Sequence, residues 1–166
     1  VRPLPAEQVP LHAALGRILA VDIESVDPVP GFDNSSMDGF AVRAADTRGA
    51  SAETPVALQV ADESRAGRPA QSALDEGQAV AISTGAMVPD GADSVVRVED
   101  TSMRNGRVEV SVEVKPGNNV RRSGDDIKPG APVLRRGTAI GAAELGVLAS
   151  VGVGEVRCAR RPRARV

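Results

Sequence analysis

The sequence predicts an α+β chain that is mostly β, with a small barrel or sandwich over roughly residues 33–124. Three observations point there. Glycine and proline number 17 and 12 among 166 residues, which divides the chain into short elements joined by turns. Short Val- and Ala-rich runs follow in quick succession, and residues 108–114 (VEVSVEV) alternate strictly between apolar and polar. Asn105-Gly106, just ahead of that run, has the chemistry of a tight hairpin turn.

Taken in order, residues 5–20 place Leu11, Leu15, Ile18 and Leu19 on one helical face, with Pro10 in the first turn, and predict a helix. Residues 21–26 read as a short extended segment. Residues 28–42 form a loop, PVPGFDNSSMDGFAV, whose polar centre is bracketed by the chain's only aromatic side chains, Phe32 and Phe40, both expected to anchor it. Residues 41–46 begin a strand, and 56–60 and 79–83 are strands separated by a polar, Gly-rich connection. Residues 94–98 and 108–114 are expected to pair through the Asn105-Gly106 turn. Val133-Leu134 is a brief strand, and 141–150 a helix with Leu145, Leu148 and Ala149 as its apolar face.

Bulk properties narrow the function classes. Apolar residues make up 42% and charged ones 25%, as in globular proteins, and without Trp or Tyr the core has to be aliphatic. A net charge of −2 gives no overall field for nucleic acid or membrane. One cysteine, Cys158, rules out an internal disulfide and a cysteine-based zinc site, and a cytoplasmic setting is the expectation. No run approaches the roughly 20 apolar residues that span a bilayer. The single histidine, His12, has no sequence partners for a triad and receives no role. The C-terminal arginines lack the interleaved aromatics of a nucleic-acid surface.

Three polar turns, at 33–39, 83–91 and 118–126, interrupt the β-like sequence, so a barrel could gather their tips on one rim. The first carries Asp38 among hydroxyls and amides. Ser83, Thr84 and Gly85 of the second could cradle an anion, and the third sets Arg121 and Arg122 beside Asp125 and Asp126. Aspartates, hydroxyls and arginines without His or Cys suit a hard cation with a phosphate or oxyanion. The same residues also fit three ordinary turns with surface ion pairs.

PVPGFDNSSMDGFAVR, STGAMVPDGADSVVRVED and KPGNNVRRSGDDIKPG, in this order and spacing, resemble the three signature stretches of the molybdopterin molybdenumtransferase family (MoeA and the gephyrin E domain). The resemblance covers essentially the whole chain. It departs where the family reads DNSAMDGYAV and GEDI and this chain has Ser36, Phe40 and Asp125.

The resemblance implies Mg²⁺-dependent insertion of molybdate into adenylylated molybdopterin with release of AMP, the last step of molybdenum-cofactor synthesis. It implies Asp38, Thr84 and Asp126 as catalytic, Ser36, Gly85, Arg121 and Arg122 as oxyanion- or substrate-binding, and Asp38 and Asp126 as metal ligands, with the choice among Asp33, Asp38, Asp125 and Asp126 left open. It also implies a discontinuous, elongated dimerisation domain of residues 1–32 and 125–166, into which a β-rich domain, 33–124, is inserted. Family members continue into a nucleotide- and pterin-binding α/β domain and a small β-domain. The chain is therefore expected to match the N-terminal portion, to supply half of a composite site in a homodimer, and to be inactive alone. The implied partners include the molybdopterin adenylyltransferase and recipient molybdoenzymes. The competing reading is a non-catalytic dimerisation or scaffold module.

Overall fold

The structure, a computed structural model, describes residues 4–162. Arg163 and Arg165 of the C-terminal arginine run lie outside the described residues. The chain divides into two compact units, Val1–Gly31 with Gly124–Val166, and Phe32–Ser123.

In the first unit, β1 (Ala6–Pro10) pairs antiparallel with β12 (Glu155–Ala159), and β2 (Ile23–Glu24) with β11 (Pro132–Leu134). The helix α1 (Ala142–Ser150) packs over a core of Val9, Ala14, Leu19, Ile140, Leu148, Val156 and Cys158. Glu144 starts it by accepting the Gly141 N–H at 2.9 Å, which satisfies one of the donors that a helix N-terminus leaves unpaired. Leu148 is fully buried and Leu145 half-buried as expected, but Ala149 faces solvent. Arg17 is buried as well; it donates to Glu7 at 2.5 Å and to the Ala159 carbonyl at 2.9 Å.

The helix expected over residues 5–20 does not form. Residues 6–10 are strand β1, Leu11–Ala13 is one turn of 3-10 helix, and Gly16 takes a positive φ of 73°. The β1–β12 ladder takes the backbone bonds that a helix would need, and the left-handed Gly16 ends any helical path. The apparent apolar stripe is divided as a result: Leu19 is buried, whereas Leu15 and Ile18 are exposed.

The second unit is a six-stranded sheet that curls into a half-barrel. Its strands are β4 (Gly39–Val42), β5 (Val56–Ser64), β6 (Gln78–Ile82), β7 (Ser94–Arg97), β8 (Thr101–Arg104) and β9 (Arg107–Val110), in the order β7-β4-β6-β5-β9-β8. Only β5 and β6 run parallel. A short pair, β3 (Asn34–Ser35) and β10 (Val120–Arg121), lies outside this sheet.

Successive residues of β4, β6 and β7 feed two different apolar clusters. Phe40, Val42, Ala79 and Val96 join Leu58, Val108 and Val110 in one, while Ala41, Val80, Ile82 and Val95 join Leu74 and Ala86 in the other. A strand buried on both faces reads as a continuous apolar run, which accounts for GFAV and AVAI. β9 alternates because its outer face is more open.

The Asn105-Gly106 turn forms, with φ of 51° and 76°, but its partner strands are β8 and β9. Of residues 94–98, expected to be that partner, 94–97 form β7 and pair with β4 instead, and Val98 begins a 3-10 turn. The 28–42 stretch is also more ordered than a loop, since it contains β3 and β4. Of its two aromatics only Phe40 anchors the core; Phe32 is 42% exposed.

Candidate functional site

The first polar loop, residues 33–39, lies between the other two in the second unit. Toward residues 83–91, Ser35 N–H donates to the Ala86 carbonyl at 3.0 Å, Gly85 N–H to the Ser35 carbonyl at 2.8 Å, and Val88 N–H to the Asp33 carbonyl at 2.9 Å. Toward the third loop, β3 pairs with β10, placing Ser35 opposite Val120 and Asn34 opposite Arg121. Ser36 adds its N–H and Oγ, both donating to the Asn119 carbonyl at 3.0 and 3.1 Å. Asn119 reaches these bonds with a φ of 54°, a conformation that asparagine tolerates better than most residues.

Asp38 sits at the tip where the first loop enters β4. Its Oδ1 accepts Thr84 N–H at 2.7 Å and Thr84 Oγ1–H at 3.0 Å, and both residues are exposed. Gly85, at φ 79°, turns the chain so that Thr84 can present both donors to one oxygen. Those bonds, the main-chain one first, hold the Asp38 carboxyl below its ordinary value.

Asp33 is depressed too, first by the Ser123 N–H at 2.8 Å on Oδ1, with Arg122 Nη1 at 2.6 Å on Oδ2 also lowering it. Groups whose folded pKa lies below the unfolded value stabilise the fold above that value, and the contribution is lost as pH falls through the folded pKa. The thermal midpoint of the second unit is therefore expected to fall once pH drops below about 4. Asp33→Asn and Asp38→Asn should flatten that acid limb, as read by circular dichroism melts between pH 5 and pH 2.5, about the span over which such carboxylates titrate.

The structure gives the expected site residues the following partners. Both Thr84 donors are taken by Asp38 and the Gly85 N–H by Ser35, so neither is an open donor for an oxyanion. Ser36 Oγ is likewise committed to Asn119. Arg122 is tied to Asp33, and Arg121 extends from β10. Asp125 and Asp126 belong to the first unit, where the Asp126 and Ile127 N–H groups both donate to the Val29 carbonyl, at 2.9 and 3.0 Å. Asp33, Ser35 and Asn119 carry most of the loop architecture, a bracing role that sequence reasoning gave to none of them. The one available signal was their density of short polar side chains at turn positions.

Comparison with known proteins places the chain in a family. Residues 1–152 match the family described as the MoeA N-terminal region (domain I and II). The chain is 41% identical over 165 residues to a molybdopterin molybdenumtransferase of Haemophilus influenzae, covering 99% of this chain and 40% of that protein. The enzyme of the same name from a Nostoc species is 42% identical over 160 residues, covering 96% and 37%. The crystal structure of a molybdopterin biosynthesis MoeA protein from Pyrococcus horikoshii superposes with a TM-score of 0.90 at 39% identity, over 96% of this chain and 41% of that one. The chain thus spans about two fifths of the length of the relatives it matches. With the family match running through most of its length, the chain belongs to the MoeA N-terminal region family.

Proposed function

We propose that this chain is the N-terminal part of a molybdenumtransferase that inserts molybdate into adenylylated molybdopterin, with Mg²⁺ required and AMP released. The observation that carries the reading is the Asp38 carboxylate, held ionised by Thr84 at the tip of a loop braced on both sides. The names of the relatives, similar over essentially all of this chain, supply the reaction class.

The donor set fits Mg²⁺. That ion takes one or two protein carboxylates and keeps the rest of its shell as water and substrate oxygen, so it needs no acidic cluster. Among the described residues no group of three or more His, Cys, Asp or Glu side chains gathers. Asp38 would hold the hydrated ion, which when bound would offset oxyanion charge. In this reading Asp38 Oδ2 accepts a hydrogen bond from, and so orients, a water of that ion's shell, while Thr84 fixes the carboxylate. Arg121 and Arg122 meet negative charge on the substrates, since guanidinium groups pair well with phosphate-type oxygens.

The reading also includes a homodimer, a cytoplasmic setting and a composite site, to which this chain contributes half and at which it is inactive alone. No helix among the described residues is long and apolar enough to cross a membrane. Hand-over from the molybdopterin adenylyltransferase and delivery to molybdoenzymes follow from the same reaction.

The test supplies the full-length polypeptide with adenylylated molybdopterin, molybdate and Mg²⁺, then follows AMP release and active cofactor. Asp38→Asn is expected to lower turnover about 100-fold or more, the scale of a lost preorganised charge. Thr84→Val, which keeps the N–H and loses the hydroxyl, should cost about tenfold and move the acid limb of the pH–rate profile upward. Unchanged output in both variants would favour the scaffold reading.

A further inference from the structure

Asp33 joins all three loops of the second unit, and the chemistry proposed above makes no use of it. Its main-chain carbonyl accepts Val88 N–H from the second loop at 2.9 Å. Its carboxylate accepts Ser123 N–H at 2.8 Å on one oxygen and Arg122 Nη1 at 2.6 Å on the other. Residues 120–123 are therefore fixed twice, by the β3–β10 pairing at one end and by Asp33 at the other. Between those points lie Arg121 and Arg122. Val120 packs against the cluster around Val80 and Val95, and side chains alternate along a strand, so Arg121 is directed to the opposite side.

We propose that Asp33 is a positioning residue: it clamps the 120–123 arm so that the arginine pair meets a substrate oxyanion, molybdate or phosphate, in one fixed arrangement. The inference rests on the function proposed above. It makes a prediction of opposite sign to simple electrostatics. Asp33 subtracts one charge beside two arginines, so removing that charge should strengthen anion binding if Coulomb attraction alone counted. If the clamp matters more, the loosened arm loses its preorganised geometry and anion binding weakens.

The test compares wild type, Asp33→Asn and Asp33→Glu in the full-length polypeptide, varying molybdate and adenylylated molybdopterin separately. Asp33→Asn is expected to raise KM for one of the two about tenfold, the scale of one charge-assisted hydrogen bond, with a smaller change in kcat. The substrate whose KM moves identifies the oxyanion. Asp33→Glu, which keeps the charge and can reach the same donors, should recover part of the loss. Amide exchange at Ser123 should accelerate in Asp33→Asn. Unchanged or lowered KM values for both substrates would overturn the clamp while leaving the reaction in place. If the wild type transfers no molybdenum, the function reading fails, and the clamp is judged by Ser123 exchange alone; equal protection in wild type and Asp33→Asn would overturn it. Should Asp33→Asn fail to fold, Asp33→Glu is read against wild type: a KM still above wild type for one substrate supports the clamp, and unchanged or lowered KM values for both overturn it.

Discussion

Replacing Gly39 with alanine is expected to cost about 3 kcal/mol or more, at or beyond the top of the usual range for overpacking. A Cβ at this position would lie 1.9 Å from the Val96 carbonyl oxygen, 2.9 Å from its carbon and 3.0 Å from the Arg97 Cα. All three are backbone atoms of the neighbouring strand, so no rotamer change relieves the clash. Nor can β4 shift away, since it is paired on one side to β7 and on the other to β6. Gly39 also follows Asp38 directly, so any displacement would move the carboxylate off Thr84. With no Trp or Tyr, the measurement is urea unfolding followed by far-UV circular dichroism. Gly146→Ala is the control: it lies inside α1, nothing stands within 4 Å of a Cβ there, and alanine is the better helix former by up to about 1 kcal/mol. A Gly39→Ala loss within about 0.5 kcal/mol, as at an ordinary surface position, would mean that β4 and β7 do not approach as described.

Much of the β-rich unit could be read from the sequence because its strands announce themselves in two ways. Where one face is open, as at β9, polar and apolar residues alternate; where both faces are buried, as at β4 and β6, an apolar run sits between turn residues. The first unit was harder. Residues 11–19 have helical spacing by coincidence, and what makes residues 6–10 a strand is β12, well over a hundred residues away in the chain. A pairing of that kind leaves no local trace, and it overrides local preference. Asn105-Gly106 illustrates both cases: the turn was readable from two residues, but β8, its other strand, is TSMR, which carries almost no apolar signal.

The candidate site was readable as residue types and not as roles. Asp38 and Thr84 stood out because a carboxylate and a Ser-Thr-Gly turn are chemically distinctive. Which donors remain open is a tertiary question, and the answer reversed an expectation: the N–H groups of Thr84 and Gly85 brace the loops. Phe32 and Phe40 looked equivalent in the sequence, yet one fills the core and the other is exposed.

Thr47→Val is expected to cost about 2 kcal/mol, although the two side chains are nearly the same shape. Thr47 is fully buried at the end of a 3-10 turn, Ala44–Thr47. Its Oγ1 donates to the Ala44 carbonyl at 2.9 Å and accepts the Val114 N–H at 3.0 Å. The second bond matters more. Residues beyond Val110 have left the ladder, but Val112 and Val114 still pack against the same cluster as Val108, so the Val114 N–H is buried without a strand partner. Valine would fill the space and leave that donor unpaired, a loss of about 1–3 kcal/mol for a buried group. Ser in place of Thr keeps the bond and gives up a buried methyl, worth about 1 kcal/mol. Thr47→Ser should therefore remain closer to wild type than Thr47→Val in urea unfolding, the reverse of the order expected if apolar packing alone set the stability at this position.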